Sequence, residues 1–219
     1  MERIIEPSLL QKEFSSLFPS LVLASSSPNR KKLLEDGGSY VSVFVPNADE
    51  SISGLDLVSA MEKNARVKME AYLSSSSFNP MLPAISADTL VHIDNELLGK
   101  PKDREDARRI LSLLSGRRQT VLTGCALYDK EIGIKVFCDQ ADVIFHRLSD
   151  SDIESYLDRD EWKGAAGGYR LQKNGWRLVE TIEGDWTTVV GLPLKKLIEI
   201  KKLNREARHS APVPAGESL

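Results

Sequence analysis

Leu21 to Ala24 is a short, unbroken apolar run, the pattern of a buried strand. Ser25, Ser26 and Ser27 follow, then Pro28, and Leu33 and Leu34 lead on to Asp36 and Gly37. A capping serine, a proline at the first helical position and a glycine stop predict a helix between them. Its unpaired N–H groups and dipole favour an anion, and Arg30, Lys31 and Lys32 sit in its first turn. Tyr40 to Val45 alternates apolar and polar positions as a second strand, ending before Asp49 and Glu50. Val58, Met61, Ala65, Met69 and Tyr72 recur at helical spacing, which predicts a helix over 56–73 with Lys63 and Lys68 on its polar side. Pro83 to Ile93 reads as a strand whose apolar start runs into Asp88, so that Asp88 and Thr89 stand at its apolar end, with a turn at Asp94-Asn95. Asp103 then caps a helix with Ala107, Ile110, Leu111 and Leu114 on one face and Gly116 at its end.

The second half changes character. Thr120 to Tyr128 and Ile134 to Leu148 are β-rich runs joined by the polar turn DKEIG, the pattern of an antiparallel hairpin. Ser149 opens a short helix through Leu157, and Gly164, Gly167 and Gly168 cluster before Tyr169. A strand at Trp176 to Ile182, a loop and a helix beginning at Pro193 complete the chain. A βαβαβα start followed by a hairpin requires a mixed sheet. Residues 1–20 form an amphipathic extension for which packing and disorder are both open, 21–203 form one domain, and the tail 204–219 has little to bury and is expected to be disordered.

Composition narrows the classes. With 41% hydrophobic and 28% charged residues in 219, the chain is an ordinary globular one. A net charge of −3 supplies no basic face for a nucleic acid, so a phosphorylated ligand would be small and held by a few cations gathered in a cleft. No apolar run approaches the roughly 20 residues of a membrane span, and the acid-bearing start does not read as a secretory signal. The two cysteines, Cys125 and Cys138, fall in neighbouring predicted strands as buried filler, which points to a reducing compartment and a cytoplasmic location.

Familiar phosphate loops, dinucleotide fingerprints, zinc motifs and serine elbows are absent from the sequence, and His92, His146 and His209 are too scattered for a metal cluster. What remains are polar groups that interrupt buried patterns. SSSPNR holds Ser25, Ser27, Asn29 and Arg30, and also reads as a plain cap with a solvated basic turn. ISADTLV holds Asp88 and Thr89, and a carboxylate there must be paired, metal-bound or catalytic to offset its desolvation. Lys100 precedes a proline in LLGKP, and the glycines of AAGGYRLQ and GDWTTVVGLPL also read as turn makers.

In this order LASSSPNRKKLL, SADTLV, LLGKP, LSGRRQTVLTG, AAGGYRLQ and GDWTTVVGLPL resemble the Maf family of nucleoside triphosphate pyrophosphatases, over residues 21 to about 200. The resemblance implies an α/β fold similar to that of the inosine triphosphate pyrophosphatases: a mixed twisted sheet in an elongated, two-lobed molecule with a central cleft, often as a homodimer. It implies hydrolysis of a nucleoside triphosphate, dTTP, UTP or a modified nucleotide, between the α and β phosphates with a divalent metal, Mg or Mn, and no nucleic-acid or membrane partner. By the same resemblance Asp88 is the general base and shares a metal with Glu50, while Ser25, Ser27, Arg30, Lys68 and Lys100 hold phosphates. Thr89 and Gln172 match residues that set specificity for dTTP and UTP, whereas Asn29 stands where that branch carries an arginine. Ala165 stands where many members have a lysine, with Lys163 the nearest cation, and Asp185 stands where serine is usual. Because the family has also been linked to control of cell division, a nucleotide-binding regulator with little turnover is the rival reading.

Overall fold

The computed structural model describes residues 8–50, 54–94 and 96–209. Residues 1–7, 51–53, Asn95 and 210–219 lie outside these, and with them the end of the tail expected to be disordered. The elements are α1 (Leu9–Leu17), β1 (Ser20–Ala24), α2 (Pro28–Asp36), β2 (Tyr40–Phe44), α3 (Leu57–Leu73), β3 (Ala84–Ile93), β4 (Glu96–Leu98) and α4 (Arg104–Leu114). They continue with β5 (Arg118–Asp129), β6 (Gly133–Phe145), α5 (Asp150–Leu157), β7 (Val179–Glu183), α6 (Trp186–Val190) and α7 (Leu194–His209). Seven strands form one sheet in the order β2-β1-β3-β5-β6-β7, with β4 beside β3. β1 runs parallel to β2 and β3, and the remaining pairings are antiparallel, so the sheet is mixed as the element pattern requires.

One irregularity of this sheet positions everything that follows. β5 pairs with β3 from Ala84 to His92 along one edge. On the other edge β1 stops at Ala24, opposite Ser86, and β4 begins only at Val91. Between them Ala87 to Leu90 have no strand partner on that side among the described residues. Successive side chains of a strand point to opposite faces, so Asp88 faces α3 and Thr89 faces α2 and α6, yet both border the same gap. The carboxylate is therefore in mid-strand, not at a strand end as the apolar pattern reads: it is the neighbouring strand that ends.

Two large apolar cores flank the gap. One gathers Phe14, Phe18, Leu23, Leu34 and Leu197 from α1, α2, β1 and α7 and the turn after α1. The other gathers Val91, Ile110, Leu111, Phe145 and Tyr156 from β3, β6, α4 and α5. The open question over the leader is answered for its described part: Ser8 and Gln11 close a capping box on α1, and Phe14 and Phe18 are buried. α3 lies across the sheet with Ala60, Met61, Asn64, Ala65, Lys68, Met69 and Tyr72 inward. It comes closest at Gly124, which pairs with Asp88, and a Cβ there would sit 2.0 Å from the Met61 carbonyl oxygen. Gly124→Ala must lift α3 off the sheet. We expect about 1–3 kcal/mol of destabilisation in urea unfolding, together with weakened activity, because the same helix carries the partners of Asp88.

Further details differ from the sequence pattern. β6 ends at Phe145 rather than Leu148. Trp176 is half exposed in a 3-10 turn, Asn174–Leu178, and the strand begins only at Val179; the turn is tight enough that a Cβ on Gly175 would meet the Arg170 carbonyl at 2.5 Å. The expected loop before Pro193 contains α6, capped by Asp185, whose carboxylate accepts from Thr187 N at 2.8 Å, Thr187 Oγ1 at 2.7 Å and Lys195 N at 3.2 Å. Serine caps helices in the same way, which accounts for the aspartate at this position. Finally α7 continues past Asn204 to His209, through good helix formers and an Arg208–Glu131 ion pair. Cys125 is buried as expected but Cys138 only half so; burial, with Glu62 and Asp139 nearby, pushes the Cys138 thiol up to about 11.

Candidate active site

The gap in the sheet opens into a cleft of about 350 Å³, within the range of small-molecule sites. All ten candidate site residues line it: Ser25, Ser27, Asn29 and Arg30 from the start of α2, Glu50, Lys68, Asp88 and Thr89, Lys100, and Gln172. Arg170 lines it as well.

Asp88 is the hub of the α3 side. Lys68 Nζ donates to its Oδ1 at 2.8 Å and Asn64 Nδ2 to its Oδ2 at 2.9 Å. The same ammonium lies 2.9 Å from Glu50 Oε2, and the same amide donates to the Glu50 carbonyl at 3.1 Å. Two carboxylates thus bracket one cation. Lys68 is buried, facing the sheet and not the polar side of its helix; Asn64 and Lys68 are one helical turn apart and reach the same strand residue. Burial opposes the Asp88 charge, but the Lys68 ammonium, hydrogen bonds from Lys68 and Asn64, and the Arg30 guanidinium outweigh it and hold the carboxyl below the usual range. Asp88 is ionised at neutral pH. The Asn64 Oδ1 is buried without a partner among the described residues.

The opposite face is organised by Arg30. Its Nε donates to the Gly191 carbonyl at 2.8 Å, Nη1 to Ser25 Oγ at 2.9 Å and Nη2 to Thr89 Oγ1 at 2.9 Å. Burial depresses this guanidinium, with Asp88 the largest opposing influence. It is 8% exposed, so most of its bonding capacity aligns two other site residues. Ser25 Oγ accepts from both Ser27 N and Arg30 Nη1, which fills its lone pairs and leaves its O–H as a donor for a ligand. Thr123 Oγ1 donates to the Thr188 carbonyl at 2.9 Å, so in the 3.0 Å contact between the two threonines Thr89 is the donor. Thr89 therefore offers a ligand only a lone pair. Gly191 closes the arrangement: its φ is +106°, and a Cβ would lie 3.0 Å from Thr89 Oγ1 and 3.1 Å from Arg30 Nε.

At the opening of α2, Pro28 has no N–H and Arg30 N is capped by Ser27 Oγ, so among the first helical residues the Asn29 N–H is left for an anion. Lys100 is exposed, with no acidic partner among the described residues, and the backbone on either side of it is fixed. Gly167 N donates to the Gly99 carbonyl at 3.1 Å, and Gly168, at φ +72°, packs beside Pro101. Lys163 does not take over the role of the missing lysine at 165: it pairs with Asp160 at 2.7 Å and lies over the Trp162 ring. Sequence reasoning missed Asn64 and Arg170. A signal for the first existed, since residue 64 falls within the inward stripe of α3; the second lies inside the AAGGYRLQ segment, but the partners that give it a role are brought in by the fold.

The chain matches the model of the Maf-like protein family over residues 20–203. A dTTP/UTP pyrophosphatase of Acholeplasma laidlawii is 38% identical over 82% of this chain and 93% of its own length. Proteins of the same name from Bacillus velezensis, 38% identical over 85% of this chain and 98% of theirs, and Shewanella denitrificans, 41% identical over 79% and 90%, are comparably similar. Among solved structures, a HAM1 protein from Coxiella burnetii aligns with a TM-score of 0.40 at 15% identity, over 88% of this chain and 100% of that one. With a family model spanning most of the chain, and its ordered motifs meeting in one cleft, the protein belongs to the Maf family.

Proposed function

We propose that this protein hydrolyses a nucleoside triphosphate between its α and β phosphates, releasing a nucleoside monophosphate and pyrophosphate, and that dTTP and UTP are its substrates. The observation that carries the reading is the sheet gap, where an ionised Asp88 meets a cleft also lined by Lys68, Lys100 and Arg170. Relatives named dTTP/UTP pyrophosphatase support the choice of substrate. A triphosphate brings about four negative charges, which such cations and N–H donors would neutralise.

In the proposed reaction a water beside Asp88 attacks the α-phosphorus and the bond to the bridging oxygen breaks. The electron pair leaves with pyrophosphate, and the water proton passes to the Asp88 carboxylate. In the free protein that carboxylate is held by Lys68. Phosphate oxygens compete for the same ammonium, and as Lys68 turns to them Asp88 gains basicity when the water is in place. Glu50 and Asp88, now sharing the Lys68 ammonium, are hard oxygen donors that would hold a divalent ion once Lys68 turns to phosphate, and two carboxylates plus phosphate oxygens suit Mg or Mn. Bound there, such an ion would neutralise phosphate charge and polarise the phosphorus–oxygen bond under attack. Ser25 and the Asn29 N–H would donate to substrate oxygens, and Thr89 would accept from the substrate.

The test is product identity. With dTTP or UTP and Mg or Mn, pyrophosphate and the monophosphate are expected in equal amounts. Orthophosphate in place of pyrophosphate, or tight binding with no product, contradicts the reading. Lys100→Ala is expected to raise KM about tenfold for both triphosphates, the worth of one charge-assisted contact at an exposed position, with kcat changed much less.

A further inference from the structure

Arg170 has no place in the proposed reaction, yet it combines two features that Arg30 and Lys100 hold only singly: it is immobilised by hydrogen bonds and it is still accessible from the cleft. Its Nε donates to the Glu161 carbonyl at 2.8 Å, Nη2 to the Lys163 carbonyl at 2.5 Å and Nη1 to Asn29 Oδ1 at 3.0 Å. All three acceptors are neutral. No carboxylate pairs with it among the described residues, and the Glu161 carboxylate is taken up by Asn174, at 2.9 Å from its N and 2.7 Å from its Nδ2. Gly164 stands next to the guanidinium and puts no side chain over it. The result is a half-buried guanidinium with a fixed orientation, an unneutralised charge and one unused N–H on each terminal nitrogen. Arg30, by contrast, is sealed beneath Ser25, Thr89 and Gly191.

An immobilised cation without a counter-charge, on the wall of a cleft, is suited to an acceptor oxygen of a ligand. We propose that Arg170 anchors the substrate by donating to an acceptor oxygen of the bound nucleotide, and that Asn29 is the positioning residue that aims it. The inference rests on the nucleotide reading above. Asn29 is then not a lost contact: its amide oxygen ties the first turn of α2 to a guanidinium supplied from the loop that follows the glycine turn.

The test uses direct titration with an α,β-methylene analogue of dTTP, which binds without being cleaved, alongside thermal unfolding of each variant. Arg170→Ala is expected to weaken binding roughly ten- to a hundredfold. Because Arg170 also holds the 161–163 backbone, Asn29→Asp is the decisive companion. Its carboxylate would pair with the guanidinium and grip the loop at least as firmly, so the melting temperature should stay level or rise while nucleotide affinity falls. An uncharged change at the same position isolates the coupling: Asn29→Ala combined with Arg170→Ala should bind no worse than Arg170→Ala alone. Inorganic tripolyphosphate, used as a competitor, separates the two sources of oxygen: parallel loss in Arg170→Ala places the contact on phosphate, and retained affinity places it on the base or sugar. If Arg170→Ala folds and binds the analogue like the parent, or if Asn29→Asp binds as well as the parent, the proposal is wrong. Failure of the parent itself to bind the analogue would instead defeat the nucleotide reading.

Discussion

Asp88→Asn is expected to lower pyrophosphate release from dTTP by about 10²–10⁴-fold, the usual contribution of a positioned general base, while leaving the fold intact. The substitution keeps the shape and removes the charge. Lys68 retains Glu50 as an ionic partner, and the introduced amide oxygen can still accept from it. Its amide nitrogen would oppose the Asn64 amide, but Asn64 Oδ1 has no partner among the described residues and can accept that hydrogen after a side-chain flip, at the cost of the bond from Nδ2 to the Glu50 carbonyl. Stability should therefore change by only about 1 kcal/mol, so lost turnover can be read as lost chemistry. Turnover that persists at the parent's rate would remove Asp88 from the mechanism.

Asp129→Ala is expected to do the reverse, costing about 3–5 kcal/mol of stability without affecting the chemistry per folded molecule. Asp129 and Lys201 are both buried, with Nζ 2.6 Å from Oδ2, and they join the end of β5 to α7. Neither lines the cleft. Removing the carboxylate leaves the buried ammonium, next to the Phe18 ring, with only the more exposed Glu131 at 3.5 Å as an ionic partner. At roughly 2–4 °C per kcal/mol for a chain of this size, the melting temperature should drop by about 6–20 °C. Replacing both partners with apolar residues of similar volume, as in Asp129→Leu with Lys201→Met, should recover most of the loss, because it removes the desolvation cost along with the attraction. A single variant as stable as the parent would mean that the pair is more hydrated than its burial implies.

The contrast between these two sites shows how legible the chain is. Asp88 announces itself because it breaks an apolar strand, whereas Lys201 sits in a lysine-rich helix, LKKLIEIKKL, that reads as a solvated face. The strands and long helices follow from periodicity and caps, and each of the candidate positions from Ser25 to Gln172 reaches the cleft. The sequence does not reveal why Asp88 is accessible. That depends on β1 being too short to cover the middle of β3, which is a relation between strands and leaves no mark in the local pattern of either. Asn64 is legible in principle, as a polar residue within an apolar stripe. Arg170 is not, since its partner Asn29 is 141 residues away. Two polar positions change meaning once their contacts are known: Arg30 is occupied in aligning Ser25 and Thr89, and Asp185 caps α6.

A water beside Asp88 can reach only one phosphorus, and the atom it attacks decides which product carries the new oxygen. Hydrolysis of dTTP in ¹⁸O-labelled water, with both products analysed by mass, tests this most directly. Attack at the α-phosphorus beside Asp88 predicts one labelled oxygen in dTMP and none in pyrophosphate. Label found in pyrophosphate, or in free orthophosphate, would contradict it.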